Sequence, residues 1–148
     1  MSLDIAIKSF EQLSKSELYA LLQARVQVFV VEQNCPYQDI DGVDDKSLHV
    51  LLKEEGELTA YLRMIPLDNE GNRYQIGRVL TLTRGKGHGF EVMAQAIDYL
   101  VQTGNLEEIV LEAQSYAIGF YEKFGFHVTS EEFLEDGIPH VEMKRQFL

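Results

Sequence analysis

The sequence predicts an α/β (α+β) fold in which helices flank a mixed, mostly antiparallel sheet. Segments with the periodicity of strands and helices follow one another in the order β, α, β, β, β, α, β, α, β, β. Turn residues separate most neighbouring strands, which favours antiparallel hairpins. A helix predicted at about residues 88–102 instead links two strands as a crossover, which favours one parallel pair. The 148 residues are enough for a single domain with an ordinary core.

The first half of the chain supplies four predicted strands and one helix. The segment LDIAIKSF alternates between apolar and polar residues, as a half-buried strand does. Residues 14–17, Ser-Lys-Ser-Glu, have the spacing of a capping box, so a helix is expected behind them. Glu55-Gly56 predicts a hairpin between two strands, and YQIGRVLTLT predicts the third strand of that run.

The second half supplies two helices and three strands. LEEIVLEAQ predicts a strand, SYAIGFYEKF a helix that Gly125 ends, and Asp136-Gly137 a turn between two short strands. The helix at about 88–102 has apolar residues at i, i+3, i+4, i+7, i+10 and i+11, which predicts one buried face. That face comprises Phe90, Met93, Ala94, Ile97, Leu100 and Val101.

The charge of the chain disfavours nucleic acid as a partner. Thirteen basic and 24 acidic residues give 13 − 24 = −11, whereas phosphate backbones need clustered Lys and Arg. Residues 73–90 are nevertheless basic and hold no acid, which indicates a small anionic ligand there. Residues 32–57 hold eight acids and two lysines, which favours a cationic partner; a solvated acidic loop is the alternative.

Cysteine content and hydropathy predict a cytoplasmic location. Cys35 is the single cysteine, so no internal disulfide forms and a reducing compartment is expected. The N-terminal residues lack a basic segment followed by an apolar core, so we expect no signal peptide. No apolar stretch approaches the roughly 18 residues of a membrane span, so we expect no membrane partner.

Several chemistries with recognisable motifs do not fit. The glycines near residue 87 lack the Lys-Ser or Lys-Thr of a Walker A loop, and Phe90 stands where a dinucleotide fingerprint needs its third glycine. Gly42 is misplaced for a calcium-binding EF-hand, and the four histidines have no metal-ligand spacing, so no metal is expected. Neither a nucleophilic Cys35 nor a Ser-His-Asp triad can be assigned.

The stretch from Arg84 to Gly89, RGKGHG, fits an anion cradle. It contains R-x-x-G-x-G between a predicted strand and a predicted helix. The first turn of a helix leaves main-chain N–H groups unpaired at the positive end of its dipole, and glycines let an anion approach them. Arg84 and Lys86 add positive charge, and His88 could add more. A flexible strand-to-helix turn is the alternative.

This motif, joined to FYEKFGF at residues 120–126, resembles the GNAT superfamily of acyl-CoA N-acyltransferases. VFVVEQNCPYQDIDG at 28–42, IGRV at 76–79 and EDGIPHVEM at 135–143 are similar to signatures of its ElaA-like branch. The resemblance implies one N-acetyltransferase-like domain over residues 1–148, with a six- to seven-stranded sheet. It also implies that strands 74–82 and 108–113 splay apart to admit the pantetheine arm of coenzyme A.

The resemblance further implies acetyl-CoA as cosubstrate, with no metal. Transfer of the acetyl group to a primary amine would proceed by direct attack in a ternary complex. The acceptor would be a small-molecule or peptide amine, with a cationic one favoured, and a homodimer would be in keeping with relatives. A non-catalytic acyl-CoA sensor and an interaction module without ligand are the alternatives. The residues implied to bind the cofactor are Val79, Leu80, Thr81, Arg84, Gly85, Lys86, Gly87, His88, Gly89 and Phe90.

Catalytic candidates follow from the chemistry of amine acylation. The resemblance gives Tyr121 the role of the acid that protonates the leaving thiolate, although its spacing also suits an aromatic residue on a buried helix face. The strand before the glycines contains no carboxylate, so the base is left open among Glu32, Glu112, His140 and water. An imidazole suits proton transfer near neutral pH, although a histidine near a turn is often structural.

Three arginines, Arg25, Arg63 and Arg78, are plausible pocket residues without an assigned catalytic role. Arginines in strands and helices usually pair with acids, and this chain has many.

Overall fold

The structure, a computed structural model, describes residues 3–147. Its strands and α-helices are β1 (Leu3–Ser9), α1 (Lys15–Arg25), β2 (Leu48–Glu54), β3 (Glu57–Pro66), β4 (Arg73–Thr81), α2 (His88–Gln102), β5 (Glu108–Gln114), α3 (Ile118–Glu122), β6 (His127–Val128), β7 (Phe133–Glu135) and β8 (Ile138–Gln146).

All eight strands belong to one mixed sheet. The strand order is β1-β2-β3-β4-β5-β8-β6, and β7 pairs separately with β8. Every pairing is antiparallel except β4 with β5, which α2 connects as a crossover. The predicted α/β class and its single parallel pair are confirmed, with eight strands in place of six or seven. The additional strand, β6, is only two residues long, too short for a periodic pattern.

Helix α1 begins with the predicted capping box. Ser14 accepts a hydrogen bond from the main-chain nitrogen of Glu17, and the Glu17 carboxylate accepts one from that of Ser14. The same carboxylate lies 2.9 Å from Lys8 Nζ and 2.8 Å from Lys53 Nζ, so it also ties α1 to β1 and β2. A π-helix, Val26–Glu32, continues α1 and was not predicted.

The two predicted hairpin turns form, each with two successive positive φ angles. Glu55 and Gly56 have φ of 52° and 84°, and Asp136 and Gly137 have φ of 51° and 78°. Two successive positive φ angles define the turn whose twist matches antiparallel strands. These turns fix the register of β2 with β3 and of β7 with β8.

Helix α2 packs across one face of the sheet and α1 across the other. The buried face of α2 contains Val92, Met93, Ala96, Ile97 and Leu100. The prediction of this face was wrong at its edges, because Phe90 and Val101 are about half exposed. The buried stripe is turned toward Val92 and Ala96, so Phe90 and Val101, which lie eleven residues apart on one side of the helix, both fall at its margin.

Within residues 3–147, no helix is both long enough and apolar enough to cross a membrane.

Replacing Glu17 by Gln is expected to lower the melting temperature by roughly 3–6 °C at neutral pH, because charge-assisted hydrogen bonds worth about 1–2 kcal/mol are lost. Burial would raise the pKa of Glu17, but hydrogen bonds from Lys53, Ser14 and Lys8 outweigh it and lower the pKa from 4.5 to about 2. Since the folded pKa is depressed, this stabilisation is complete above 4.5 and is lost as pH falls toward 2.

Thermal denaturation over this pH range measures the difference between wild type and Glu17→Gln. Glu11→Gln is the matched control, because Glu11 is exposed. A difference that stayed constant as the pH fell would contradict the assignment.

Candidate active site

Strands β4 and β5 are paired over only part of their length. Their parallel register runs from Arg73 opposite Glu108 to Ile76 opposite Leu111. Beyond that point β4 continues to Thr81, whereas the remainder of β5 pairs only with β8 on its other side. The predicted splaying of this pair is therefore observed, and it leaves an edge of β4 free of a β5 partner.

A β-bulge lies at the point of separation. Tyr61 is opposite Leu80 and Arg63 is opposite Gly77, so two residues of β4 face one residue of β3. Arg78 in this bulge has φ of 53°, a left-handed conformation that costs a non-glycine residue about 1–3 kcal/mol. The bulge therefore changes the direction of the β4 main chain next to the gap between β4 and β5.

A cavity of about 450 Å³ occupies the gap between the two strands. Its walls come from β4, β5, β8, the residues around α3, and the loop between the π-helix and β2. The wall residues most relevant to chemistry are Gly77, Val79, Glu112, Tyr121, Glu135 and His140.

The glycine-rich loop leads from β4 into α2. Gly85 and Gly87 have φ of 78° and 73°, and a Cβ on either would meet nothing within 4 Å. Gly87 precedes α2, and no side chain caps this helix. Within the described residues, the main-chain nitrogens of Gly89 and Phe90 donate no hydrogen bond. The loop therefore presents unpaired N–H groups and open space at the positive end of a 15-residue helix.

Gly89 differs from the two preceding glycines. Its φ is not positive, and a Cβ there would lie 3.4 Å from Thr81 Cγ2 and 3.7 Å from Phe120 Cζ. This glycine lets α2 approach β4 and α3 closely.

The charged side chains of the loop have different surroundings. Arg84 is 91% exposed, with Nη2 4.0 Å from Glu32 Oε1, and Lys86 Nζ lies 3.7 Å from Glu54 Oε1. His88 is buried, and its Nδ1 has no hydrogen-bond partner among the described residues. Arg84 and Lys86 are thus free to move toward an anion, whereas His88 is enclosed.

Tyr121 lies on α3 and lines the cavity. Its ring packs edge-on against Phe120, with centroids 5.1 Å apart, and against Phe126 at 6.5 Å. Burial, and then the neighbouring Tyr116, raise the pKa of Tyr121 above its usual value, so the phenol is neutral at pH 7. Its hydroxyl forms no hydrogen bond to a described residue, which leaves it available as a donor.

His140 lies on β8 and lines the same cavity. Its Nδ1 is 2.7 Å from the carbonyl oxygen of Ile138. Because a carbonyl only accepts, Nδ1 carries the proton and the neutral ring has its lone pair on Nε2. Nε2 lies 3.8 Å from Glu135 Oε2, and the ring stacks on Phe133 with centroids 6.0 Å apart. The ring is thus oriented from three sides with an accepting nitrogen.

The two carboxylate candidates for the base occupy different places. Glu112 lines the cavity, and burial followed by the charge of Glu135 raises the pKa of its carboxyl group. Glu32 ends the π-helix, exposed beside Arg84 and outside the cavity walls. The structure therefore brings Tyr121, His140 and Glu112 to one cavity and leaves Glu32 beside the glycine-rich loop.

Buried ion pairs hold the loop of residues 35–46 against α1, β3 and β4. Arg25 Nη1 lies 2.6 Å from Asp44 Oδ1, Arg63 Nη1 lies 3.0 Å from the same oxygen, and Arg78 Nε lies 2.8 Å from Asp39 Oδ1. The expected pairing of the three arginines with acids is confirmed. The partners themselves were missed, although the spacing of acids in YQDIDGVDD was the available signal. These acids belong to the acidic stretch proposed to attract a cation, and here arginines of the same chain neutralise them.

The protein-family model described as "Acetyltransferase (GNAT) domain" matches residues 12–147 of the chain. The chain belongs to the GNAT family. It is 42% identical to Protein ElaA of Escherichia coli K12 over 141 residues, covering 93% of this chain and 92% of ElaA. The crystal structure of E. coli ElaA superposes with a TM-score of 0.90 at 39% identity, covering 98% of this chain and all of the other. An acyl-CoA N-acyltransferase from Pseudomonas aeruginosa gives 0.90 at 39% identity, covering 97% and 99%. The predicted resemblance to the ElaA-like branch of GNAT proteins is confirmed.

GNAT membership makes this chain an acyl-CoA-dependent acyltransferase by family. The site fits acyl-CoA on its own geometry, since the open loop before α2 offers N–H groups to a pyrophosphate and the gap between β4 and β5 offers a free strand edge. In the described part of the chain, no group of three or more His, Cys, Asp or Glu side chains is arranged to hold a metal ion.

Gly87→Ala is expected to weaken the binding of CoA about 10-fold or more, because a Cβ at this positive φ would force the loop to relax and turn the first N–H groups of α2 aside. Isothermal titration calorimetry with CoA measures this effect. Gly119→Ala is the matched control, since Gly119 lies in α3 with no positive φ and a Cβ there would meet nothing within 4 Å. Equal affinities for the two variants would count against the loop as the pyrophosphate site.

Proposed function

We propose that this GNAT protein is an acetyl-CoA-dependent N-acetyltransferase that transfers the acetyl group to a primary amine by direct attack in a ternary complex. The observation that carries the proposal is the separation of β4 from β5 beside an uncapped, glycine-rich start of α2. This combination supplies a strand edge for an extended pantetheine arm and N–H groups for a diphosphate within one site.

In this proposal the binding residues act mainly through their main chain. Val79, Leu80 and Thr81 pair with the pantetheine amides as an added strand would. The main-chain nitrogens from Arg84 to Phe90, among them those of Gly85, Lys86, His88 and Gly89, surround the diphosphate. The open space beside Gly85 and Gly87 supports this assignment. A main-chain N–H of Val79 or Leu80, next to the bulge, donates to the carbonyl oxygen as negative charge develops on it.

The acceptor amine must lose a proton before it attacks. A lysine-like amine is neutral in only about 1 part in 2,500 at pH 7, which corresponds to about 4.6 kcal/mol. We assign Nε2 of His140 as the group that accepts the proton of the amine. The hydrogen bond that Nδ1 donates leaves Nε2 with the lone pair. Glu135, whose Oε2 lies 3.8 Å from Nε2, and Glu112, which lines the same cavity, stabilise the protonated ring. Glu32 stays a candidate base, but it would have to act from the loop rather than from the cavity wall.

Tyr121 is the proposed acid. Since its raised pKa keeps the phenol protonated at neutral pH, it holds a proton to give to the departing thiolate. Its free hydroxyl at the cavity wall supports this role, and the packing of its ring explains how the hydroxyl is kept in place.

The acceptor is proposed to be a small molecule or peptide with a cationic amine. Glu112, Glu135 and Asp136 line the cavity, and within the described chain only His140 offers them a cationic partner. Asp39, Asp41 and Asp44 are paired with arginines and are not available to an acceptor. The negative charge that favours a cationic amine therefore comes from Glu112, Glu135 and Asp136 rather than from the stretch at 32–57. A cytoplasmic location and a homodimer are kept as proposals.

Release of free thiol from acetyl-CoA across a panel of amines tests the reaction class, and diamines are expected to be better acceptors than neutral-chain monoamines.

Tyr121→Phe is expected to lower kcat about 10- to 100-fold with CoA affinity within about 2-fold, since only proton donation is removed. Tyr19→Phe is the control, because Tyr19 is exposed on α1. Binding of CoA without turnover of any amine would favour a non-catalytic acyl-CoA sensor instead.

His140→Gln is expected to lower kcat by about 100-fold or more, because glutamine cannot take the proton of the amine. Glu32→Gln is expected to change kcat less than about 3-fold and to act instead on the KM for acetyl-CoA, through Arg84. His127→Gln, which alters an exposed histidine on β6, is the control. If Glu32→Gln lost the activity and His140→Gln retained it, the assignment of the base would be reversed.

A further inference from the structure

The unusual backbone of Arg78 calls for an explanation in terms of its side chain. Arg78 is a non-glycine residue at φ of 53° inside a strand, at the point where β4 leaves β5. Such a conformation persists only where the surroundings hold it in place, and it is concentrated at functional sites. Glycine would adopt it without strain, so the arginine must be retained for its contacts.

Asp39 holds the Arg78 guanidinium through two different groups. Its carboxylate oxygen Oδ1 accepts from Arg78 Nε at 2.8 Å, and its main-chain carbonyl accepts from Arg78 Nη2 at 3.1 Å. Arg25 repeats the pattern from the other side, with Nε 3.0 Å from Asp39 Oδ2 and Nη2 3.0 Å from the same carbonyl. Because Arg25 is fully buried on α1, Asp39 connects the bulge of β4 to a rigid helix.

Two further residues restrict the guanidinium of Arg78. Its Cζ lies 5.5 Å from the centre of the Tyr37 ring, and the Tyr37 hydroxyl donates to Asp39 Oδ1 at 3.0 Å. Asp41 Oδ2 accepts from Arg78 Nη2 at 3.3 Å and from Arg63 Nη2 at 2.5 Å. The guanidinium is therefore contacted at its edges and its face, and every partner belongs to the loop of residues 35–46.

We propose that Asp39 is a positioning residue which, through Arg78, fixes the bulge of β4 so that a main-chain N–H of Val79 or Leu80 faces the thioester carbonyl. This inference rests on the proposed acetyl transfer. In this role neither Asp39 nor the Arg78 guanidinium touches the reacting atoms, although Arg78 lines the cavity. Their effect is to keep the main chain after residue 77 turned toward the cavity.

Two substitutions of Arg78 separate this role from direct contact with a substrate. Arg78→Ala and Arg78→Gly both remove the guanidinium, but only alanine keeps a Cβ that disfavours positive φ. We expect kcat of Arg78→Ala to be at least about 10-fold below that of Arg78→Gly, with the KM for acetyl-CoA within about 3-fold in both. Equal losses of kcat in the two variants would overturn the proposal, because they would show that the guanidinium itself matters.

Asp39→Asn tests the other half of the pair against Asp45→Asn, which makes the same charge change at an exposed position of the same loop. Asp39→Asn is expected to lower kcat about 10-fold in the wild-type background and less than about 3-fold in the Arg78→Gly background, where the bulge no longer needs support. Equal losses in both backgrounds would overturn the proposal and leave Asp39 a merely structural residue. If Asp39→Asn does not fold, the contrast between the two Arg78 variants still decides.

A readout without turnover keeps this proposal separate from the proposed function. Amide hydrogen exchange at Val79 and Leu80 is expected to be at least about 10-fold faster in Arg78→Ala than in Arg78→Gly, whether or not any amine is acetylated. Unchanged exchange at both amides would overturn the proposed positioning role. Failure of the wild type to acetylate any amine, with the exchange difference present, would instead overturn the proposed reaction and the catalytic purpose of the Asp39–Arg78 pair while its backbone effect stood.

Discussion

The separation of β4 from β5 after Ile76 and Leu111 is the constraint on which the site depends. Main-chain groups at an unpaired strand edge must find partners or face water. Here β5 finds its partner in β8, and the edge of β4 is left toward a cavity of about 450 Å³. A cofactor arm with its own amides can complete that edge as a third strand would. The rest of the sheet stabilises this arrangement, because β1–β2, β2–β3, β3–β4 and β5–β8 each pair over six or seven residues.

The start of α2, like the free edge of β4, lacks hydrogen bonds that would stabilise it locally. A serine or aspartate cap would satisfy its N–H groups and stabilise the helix by about 1 kcal/mol, as Ser14 does for α1. Gly87 provides no such side chain, so the N–H groups stay available. The helix remains stable because Val92, Met93 and Ala96 bury one face against the sheet. The two helix starts of this chain therefore differ, since a side chain caps α1 whereas α2 leaves its first N–H groups open.

Periodic and turn signals predicted most of the helices, strands and hairpins. Features that depend on tertiary contacts could not be predicted from the sequence. The capping box at Ser14, both positive-φ hairpins and the crossover helix depend on local residues and were predicted correctly. The π-helix after Arg25, the two-residue β6 and the bulge at Arg78 depend on tertiary contacts, so no local pattern indicated them. The candidates Tyr121 and His140 came from a family resemblance, and the structure places both on one cavity. Glu32 does not line this cavity and lies beside Arg84 instead.

The ion pairs of the 35–46 loop divide the acids of this chain into paired and unpaired groups. A chain with net charge −11 has acids in excess, yet those of the 35–46 loop are directed inward onto Arg25, Arg63 and Arg78. Hydrogen bonds from Arg63 hold the pKa of Asp41 well below its usual range, so this carboxylate stays ionised and paired at physiological pH. Burial raises the pKa of Glu112, which indicates a carboxylate without a cation of its own. The acids of the loop are thus paired with arginines, whereas Glu112, Glu135 and Asp136 line the cavity without a lysine or arginine partner among the described residues.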